Sequence, residues 1–299
     1  MLTLIIPTKN RPNDLRKAIE SVLFQTQLPD ELIIIDQSKD NLSKLTLNEI
    51  TFNYPKIKLI YIHDTSIKGL VDAKRIGVEN SSGNIICFIE DDVYLEPSYL
   101  REIKAGFKKY PNMLGCCGVV SNPQKTSRLY NFLFHFFHIG IFSDPRVNRN
   151  SMPSRAGKEF LIQSDKLSGG ISSWKKNVFM SVFFDLENNF HMFEDIDFSS
   201  RVAKHFGNCL FINPNVRLAH YCSPINRDVL DIRQRRKVRE CFTYYKKRKD
   251  WPNATISFYW LLLGMFLEAI FQSFSTVSYK PIHGFFLGLQ DGYAKKIIS

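Results

Sequence analysis

Ile85–Val93 reads IICFIEDDV: an apolar run, Ile85 to Ile89, meets three consecutive carboxylates, Glu90, Asp91 and Asp92. A short, continuous apolar run of this kind has the pattern of a strand buried on both faces of a parallel sheet. Adjacent acids repel one another and resist burial unless a cation or a set of donors answers them. In open α/β sheets, ligands bind at the carboxyl ends of the strands. The stretch therefore predicts a divalent cation at a strand end, placed to clamp a diphosphate. Its plainer reading is a set of solvated loop acids.

Outward from this strand, the same alternation repeats. Leu2–Pro7, Glu31–Asp36 (ELIIID), Ile57–Ile62 and Leu114–Val120 have strand character. Pro12–Gln25, Leu70–Glu79 and Pro97–Lys109 carry helical periodicity. Alternating strand and helix predict βαβ units and a mostly parallel sheet flanked by helices. The pattern changes after Ser121. Residues 121–167 form a long irregular insertion with an aromatic run, LYNFLFHFFHIGIF, at Leu129–Phe142, and such insertions carry function or flexibility. A Gly-Gly turn follows at 169–170, then a helix holding Phe193–His205 and a short strand before His220. Beyond Pro224 the chain turns basic and helical, and ISFYWLLLGMFL at 256–267 is almost wholly apolar.

The 299 residues are 44% hydrophobic, as in a globular protein, with 40 Lys+Arg against 29 Asp+Glu and a net charge of +11. That balance favours acidic partners: phosphorylated ligands, anionic lipid or nucleic acid. Nucleic acid is set aside because neither paired zinc spacings nor an aromatic RNP-like strand occurs. The six cysteines include no C-x-x-C pair and several lie in apolar runs, so they read as reduced core residues of a cytoplasmic protein. The amino terminus, MLTLIIPTKN, is too short an apolar run for a signal peptide and reads as a first strand.

Several polar groups fall at predicted strand ends. Pro7 stops the first ladder, and Thr8, Lys9 and Arg11 offer donors to a nucleotide there, or form an ordinary polar turn. Asp36 closes the second strand; it is a ribose or base acceptor, or a cap or turn residue. Glu194 and Asp195 in FEDIDFSSR open a helix, where acids also serve as caps. Asp197 would face another side. Upstream, SGGISSWKKNVF places Gly169 and Gly170 for close approach of a ligand or backbone, with Trp174 a candidate to stack on a sugar ring. His220, in RLAHYCSP, is a metal or diphosphate contact or a structural histidine.

Taken in order, IIPTKNRPNDLRKAIESVLFQT (5–26), LIIIDQS (32–38), GLVDAKRIGVENSSGNIICFIEDDV (69–93), SGGISSWKKNVF (168–179) and FEDIDFSSRVAKHFG (193–207) resemble the family 2 glycosyltransferases of the GT-A fold. The resemblance covers residues 1 to about 225. It implies that the acidic run is the family's D-x-D motif, with Asp92 holding Mg²⁺ or Mn²⁺ on a donor diphosphate, helped by Glu90 and His220. Pro7, Thr8, Arg11, Asp36, Lys74 and Asp91 would then hold the nucleotide. Asp195, beside Glu194, would be the catalytic base, and Gly169, Gly170 and Trp174 would meet the acceptor. The sequence departs from the pattern in three places. Glu90 stands for the first Asp, Ala73-Lys74-Arg75-Ile76-Gly77 for A-R-N-x-G, and Ile171 for the Asn after Gly-Gly. No QxxRW motif of processive synthases is present, which implies single addition.

The expected function is inverting, metal-dependent transfer from a nucleotide-sugar donor to a hydroxyl of a glycan or lipid-linked acceptor, in polysaccharide biosynthesis. A nucleotidyltransferase is the alternative enzyme, but PTKNRP lacks the glycine a phosphate loop needs. An inactive scaffold is the non-enzyme alternative, opposed by the retained acids. Residues 1–225 would be the catalytic domain and 226–299 a basic, apolar extension. That extension, with Trp251, Tyr259, Trp260 and the Arg233–Lys249 run, is expected on the cytoplasmic face of a membrane, peripherally. The alternative is that it packs on the catalytic domain or in a homo-oligomer.

Overall fold

A computed structural model of the chain describes residues 1–51, 57–123, 126–142, 144, 146–147, 161–187, 193–247 and 253–294. Trp251, the end of the basic run at 248–249 and much of the 121–167 insertion lie outside the described residues. The described chain divides into two compact units. The first is Met1–Pro123, Asn148–Asn189 and Glu194–Asn226; the second is Gln124–Val147, Phe190–Phe193 and Arg227–Ser299.

The first unit holds a nine-stranded sheet. Its strands are β1 (Leu2–Thr8), β2 (Glu31–Asp36), β3 (Lys58–His63), β4 (Ile85–Phe88), β5 (Val93–Leu95), β6 (Gly115–Val120), β7 (Ile162–Ser164), β8 (Ser172–Lys175) and β9 (Leu210–His220). The order is β3-β2-β1-β4-β8-β6-β9-β5, with β7 on β9. β3, β2, β1 and β4 are parallel to one another. β8 runs antiparallel between β4 and β6, and β5 and β7 pair antiparallel with β9. β6 and β9 are parallel to each other, and the sheet is mixed, with a continuous parallel half at β3-β2-β1-β4. The antiparallel strands β5, β7 and β8 are three or four residues long, too short to show a period of their own.

The uniform apolarity of β1 and β2 has a direct cause. Leu2, Leu4, Ile6, Leu32 and Ile34 enter one core with Leu15, Ile19 and Val22 of α1 (Pro12–Leu23) and Leu100 and Ile103 of α4 (Tyr99–Lys109). Ile5, Ile33 and Ile35 enter the other, with Ala73 and Val78 of α3 (Gly69–Glu79) and Phe198 and Val202 of α6 (Glu194–Phe206). Side chains alternate across a strand, so helices on both faces demand apolar residues at every position. Each such Leu or Ile contributes roughly 1.5–3 kcal/mol by leaving water. A short helix α2 (Leu42–Thr51) completes this unit.

The amino ends of these strands show how the fold treats an acid it does not use. Glu31 is fully buried and accepts from Thr3 Oγ1, Lys58 Nζ, Ser82 N and Ser82 Oγ. Its carboxylate oxygens are answered by the protein itself.

The second unit is helical: α5 (Arg128–Phe134) continuing into a π-helical turn at His135–Gly140, then α7 (Leu230–Lys247), α8 (Ala254–Ser275) and α9 (Lys280–Ala294). The apolar run expected at 256–267 is part of the 22-residue helix α8, about 33 Å long at 1.5 Å per residue. That is long and apolar enough to cross a membrane by length and composition, and 39% of its most apolar window is buried in protein. Glu268, the first charged residue after the apolar run, lies within the helix with its carboxylate paired to Lys237 and Gln272. α9 packs against α7 through Gly284, Gly288 and Gly292; a methyl group there would overlap Asp231 O, Arg235 O or the Phe242 ring. The aromatic run of the insertion belongs to this unit, where Phe136, Phe137 and Phe142 surround Trp260.

Candidate active site

The topology gathers the predicted residues at one edge of the sheet. β1 lies between β2 and β4 and parallel to both, so Thr8–Arg11, Asp36 and Glu90–Asp92 leave from neighbouring carboxyl ends. β8 runs the other way, with Cys87 opposite Ser173, which brings its leading residues Gly169–Ile171 to the same edge. β9 pairs antiparallel with β5 in a register that sets His220 beside Val93, next to the acids.

Among the described residues one cluster of ligand-type groups forms: Glu90, Asp92 and His220, whose ligand atoms lie within 4.8 Å of one another. His220 Nε2 stands 3.1 Å from Glu90 Oε2 and 3.1 Å from Asp92 Oδ1. The other Asp92 oxygen accepts from Ser223 N at 2.8 Å and lies 3.7 Å from Arg11 Nη1. Burial opposes ionisation of Asp92, but the bonds from His220 and Ser223 and the charges of His220 and Arg11 outweigh it and hold the carboxyl down to about 2. Bonds to Asp92 and then Glu90 push the imidazole up to about 10. Two carboxylates thus hold a positive charge between them. Two oxygens and one imidazole nitrogen form a donor set that suits Mn²⁺, and Mg²⁺ with added water.

Asp91 points elsewhere. It accepts from Thr8 Oγ1 at 2.8 Å and Arg11 Nη1 at 2.9 Å, and burial raises it to about 6 against those donors. Thr8 and Arg11, read as nucleotide donors, are therefore anchored to Asp91, and Arg11 also donates to Ile225 O at 2.6 Å. The turn between them is made by Asn10 at φ 54°, a left-handed conformation that asparagine tolerates. Pro7 and Asp36 are buried. Asp36 Oδ1 accepts from Ser38 N at 2.8 Å and Oδ2 from Tyr61 Oη at 2.6 Å. Burial and that bond raise the Tyr61 phenol. Tyr61 was missed from sequence because its role depends on β3 pairing with β2.

The second acid pair opens α6. Asp195 Oδ2 accepts from Gly169 N at 2.8 Å, and Oδ1 from Ile196 N at 2.8 Å. Glu194 Oε1 meets Lys74 Nζ at 3.1 Å, and Lys74 also donates to Gly169 O at 3.2 Å. Burial first, and the Glu194 charge second, push Asp195 up to about 7, against the two amides and Lys74. Lys74, expected on the donor, is 3% exposed and turned to this pair.

Gly169 and Gly170 make room for side chains of both acid centres. A methyl group on Gly169 would overlap Asp195 Cβ, and one on Gly170 the Glu90 carboxyl; Glu90 N also donates to Gly170 O at 3.0 Å. The dipeptide therefore seats both acid centres. Trp174 is a correction. It is 3% exposed, its Nε1 donates to Ser172 Oγ, and its ring meets Phe198 and Phe179 edge-on. No face of it is open to a sugar, because β8 is an interior strand and this position points into the core.

A model of the family described as Glycosyl transferase family 2 matches residues 3–168, more than half of the chain. The chain belongs to glycosyltransferase family 2. Glycosyltransferase GlyA of Streptococcus pneumoniae is 23% identical over 190 residues, 62% of this chain and 26% of that protein. The family 2 chain spans about a quarter to 60% of the first curated relatives it matches. Among solved structures, a mannosyltransferase of Pyrobaculum calidifontis in complex with GDP-Man and Mn²⁺ superposes with a TM-score of 0.62 at 12% identity, covering 99% of this chain and 88% of that one. S. aureus TarS 1–349 with UDP-GlcNAc gives 0.60 at 13% identity, covering 97% and 80%. These likenesses establish the GT-A fold.

Proposed function

We propose that this family 2 protein is an inverting glycosyltransferase that moves a sugar from a nucleotide diphosphate to a hydroxyl of a glycan or lipid-linked acceptor in a single displacement. The observation that carries it is the pair of acid centres seated on Gly169-Gly170, one built to hold positive charge and one to take a proton. Asp195 is the base: its carboxyl is raised toward neutrality, the poise that favours proton transfer. The acceptor hydroxyl loses its proton to Asp195 as its oxygen attacks the anomeric carbon and the nucleoside diphosphate leaves. No covalent intermediate with the protein forms.

Glu90, Asp92 and His220 would hold a divalent cation, Mg²⁺ or Mn²⁺, whose chemistry there is charge neutralisation on the leaving diphosphate. Asp36 is assigned to the nucleoside, and Thr8, Arg11 and Asp91 form one bonded unit that shapes the same edge. A nucleotidyltransferase is disfavoured by the lack of glycine in the turn after β1.

The 226–299 extension is proposed to hold the protein on the inner face of a membrane. Of the charged residues, 16 basic and 7 acidic fall in the second unit, against 24 and 22 in the first. α8 also exposes Ile256, Tyr259 and Leu263, a stripe at helical spacing. Basic residues near anionic lipid add ~1 kcal/mol each.

The deciding experiment is a thermal-shift screen of UDP-, GDP- and dTDP-sugars with and without Mn²⁺. One donor class should raise the melting temperature only with metal, and the shift should vanish in Asp92→Ala. Shifts that ignore Mn²⁺, or that survive in Asp92→Ala, count against the reading. Flotation with anionic liposomes tests the membrane part: protein that stays at the bottom at low salt sinks it.

A further inference from the structure

Lys74 sits where the family pattern has arginine, on α3. Its side chain is buried, and among the described residues its ammonium has two polar partners: Glu194 Oε1 at 3.1 Å and Gly169 O at 3.2 Å. It also lies 5.7 Å above the Phe88 ring. Both polar partners act on Asp195. The Gly169 amide donates to Asp195 Oδ2 at 2.8 Å, and the Glu194 charge lies beside that carboxyl. A buried ammonium held this way is a fixed charge with little freedom to follow a ligand.

We propose that Lys74 is a positioning residue for the base. It ties the Glu194 carboxylate to the Gly169 carbonyl, fixing together the amide that Asp195 accepts from and the charge beside it. The inference rests on Asp195 being the base. Among the described residues, the titratable groups facing Asp195 are Glu194 on α6, Lys74 on α3 and the buried Cys117 thiol on β6. Cys117 is buried and raised to about 12, so it stays neutral through the range of interest. Removing the lysine takes the cation from Glu194 and leaves two neighbouring carboxylates, of which Asp195 keeps only its two backbone amides. Asp195 then holds its proton more tightly, and the Gly169 turn loses its tether.

The Gly169 amide offers a readout that needs no ligand. Carbonyl-¹³C serine with ¹⁵N glycine labels two Ser–Gly peptides in the full-length protein, Ser82–Gly83 and Ser168–Gly169. The Gly169 signal is the one whose pH titration disappears in Asp195→Asn. In Lys74→Met its midpoint should rise by about one pH unit, the size an opposite charge nearby supplies. Lys74→Arg should restore it. Turnover of whichever UDP-, GDP- or dTDP-sugar stabilises the wild type should fall in kcat with KM unchanged, its acid limb moving upward with the amide midpoint.

A Lys74→Met protein with the Gly169 midpoint and acid limb unmoved but a raised KM overturns the proposal and makes Lys74 a donor contact. Should Lys74→Met fail to fold, Lys74→Met/Glu194→Gln removes the orphaned charge. Its midpoint should lie near wild type with kcat still reduced, and an undiminished kcat overturns the proposal. If instead Asp195→Asn retains transfer, the base assignment fails. The amide titration still reports whether Lys74 holds that carboxyl.

Discussion

Asp92 and Asp195 begin with the same ordinary pKa and end on opposite sides of it. Both are largely desolvated. Asp92 is held at about 2 because a histidine, a backbone amide and an arginine stand around it. Asp195 is raised to about 7 because burial and the Glu194 charge exceed what two amides and Lys74 return. One carboxylate stays charged at any physiological pH and suits a cation. The other is poised to exchange a proton. On the proposed reading, two acids pushed apart by their surroundings would divide the labour of charge stabilisation and proton transfer. The partition is a dipeptide without side chains, which lets the two centres approach the same turn.

The largest effect on this contrast should come from Asp195→Asn. The amide keeps the shape and cannot take a proton, so turnover should fall by ~10²-fold or more while Mn²⁺-dependent donor binding in calorimetry is retained. Retention of more than about a tenth of wild-type turnover places the base elsewhere.

The two glycines separate the centres. Gly170→Ala presses on the mobile end of Glu90 and should weaken Mn²⁺ binding with little loss of melting temperature. Gly169→Ala presses on Asp195 Cβ, which cannot swing away, and should lower kcat with metal affinity unchanged. Equal effects of both substitutions on both quantities would erase the distinction.

Proton release sharpens the metal side. His220 is charged up to about pH 10, and an imidazole that binds metal must be neutral. Mn²⁺ binding at pH 8 should therefore release close to one proton, read as the dependence of calorimetric heat on buffer ionisation enthalpy. Affinity should climb with pH below 10, by up to ~10-fold per unit. In His220→Ala the released proton should be absent.

The smallest effect concerns Glu194. With Asp195 as the proposed base, activity would need its ionised form, so the rate should rise with pH through about 7 and fall below it. Glu194→Gln removes the like charge, lowers the Asp195 pKa and should move this acid limb to lower pH. An upward move would mean that Glu194 acts through something other than its charge.

Much of the first unit was legible from local pattern. Strands buried on both faces must be apolar throughout, so ELIIID and IICFI announced β2 and β4, and the acids at their ends stood out as polar groups with no core to enter. Glu90, Asp92 and Asp36 were read this way, whereas Asp195 was read as an acid opening a helix and given its role by the order of the motifs. The antiparallel strands β5, β7 and β8 were not legible, being too short to carry a period. The extension beyond residue 225 was read as helical, but the bounds of α9 and the close approach of its glycines 284, 288 and 292 to α7 were not given by any local pattern. Tyr61 and the Ser223 amide carry no signal of their own; strand pairing and the loop after β9 bring them in.

The sequence alone determined which strands exist in the parallel half of the sheet, which acids end them, and the family, because these rest on local periodicity and on motifs read in order. Only the tertiary structure decided how those acids are used. It sent Asp91 to Thr8 and Arg11, joined His220 to Glu90 and Asp92, buried Trp174, turned Lys74 to Glu194, and made Gly169-Gly170 the seat of two carboxylates. A side chain's charge is written in the sequence; its pKa and its partners are set by residues from other strands, brought within 3 Å or so by the fold.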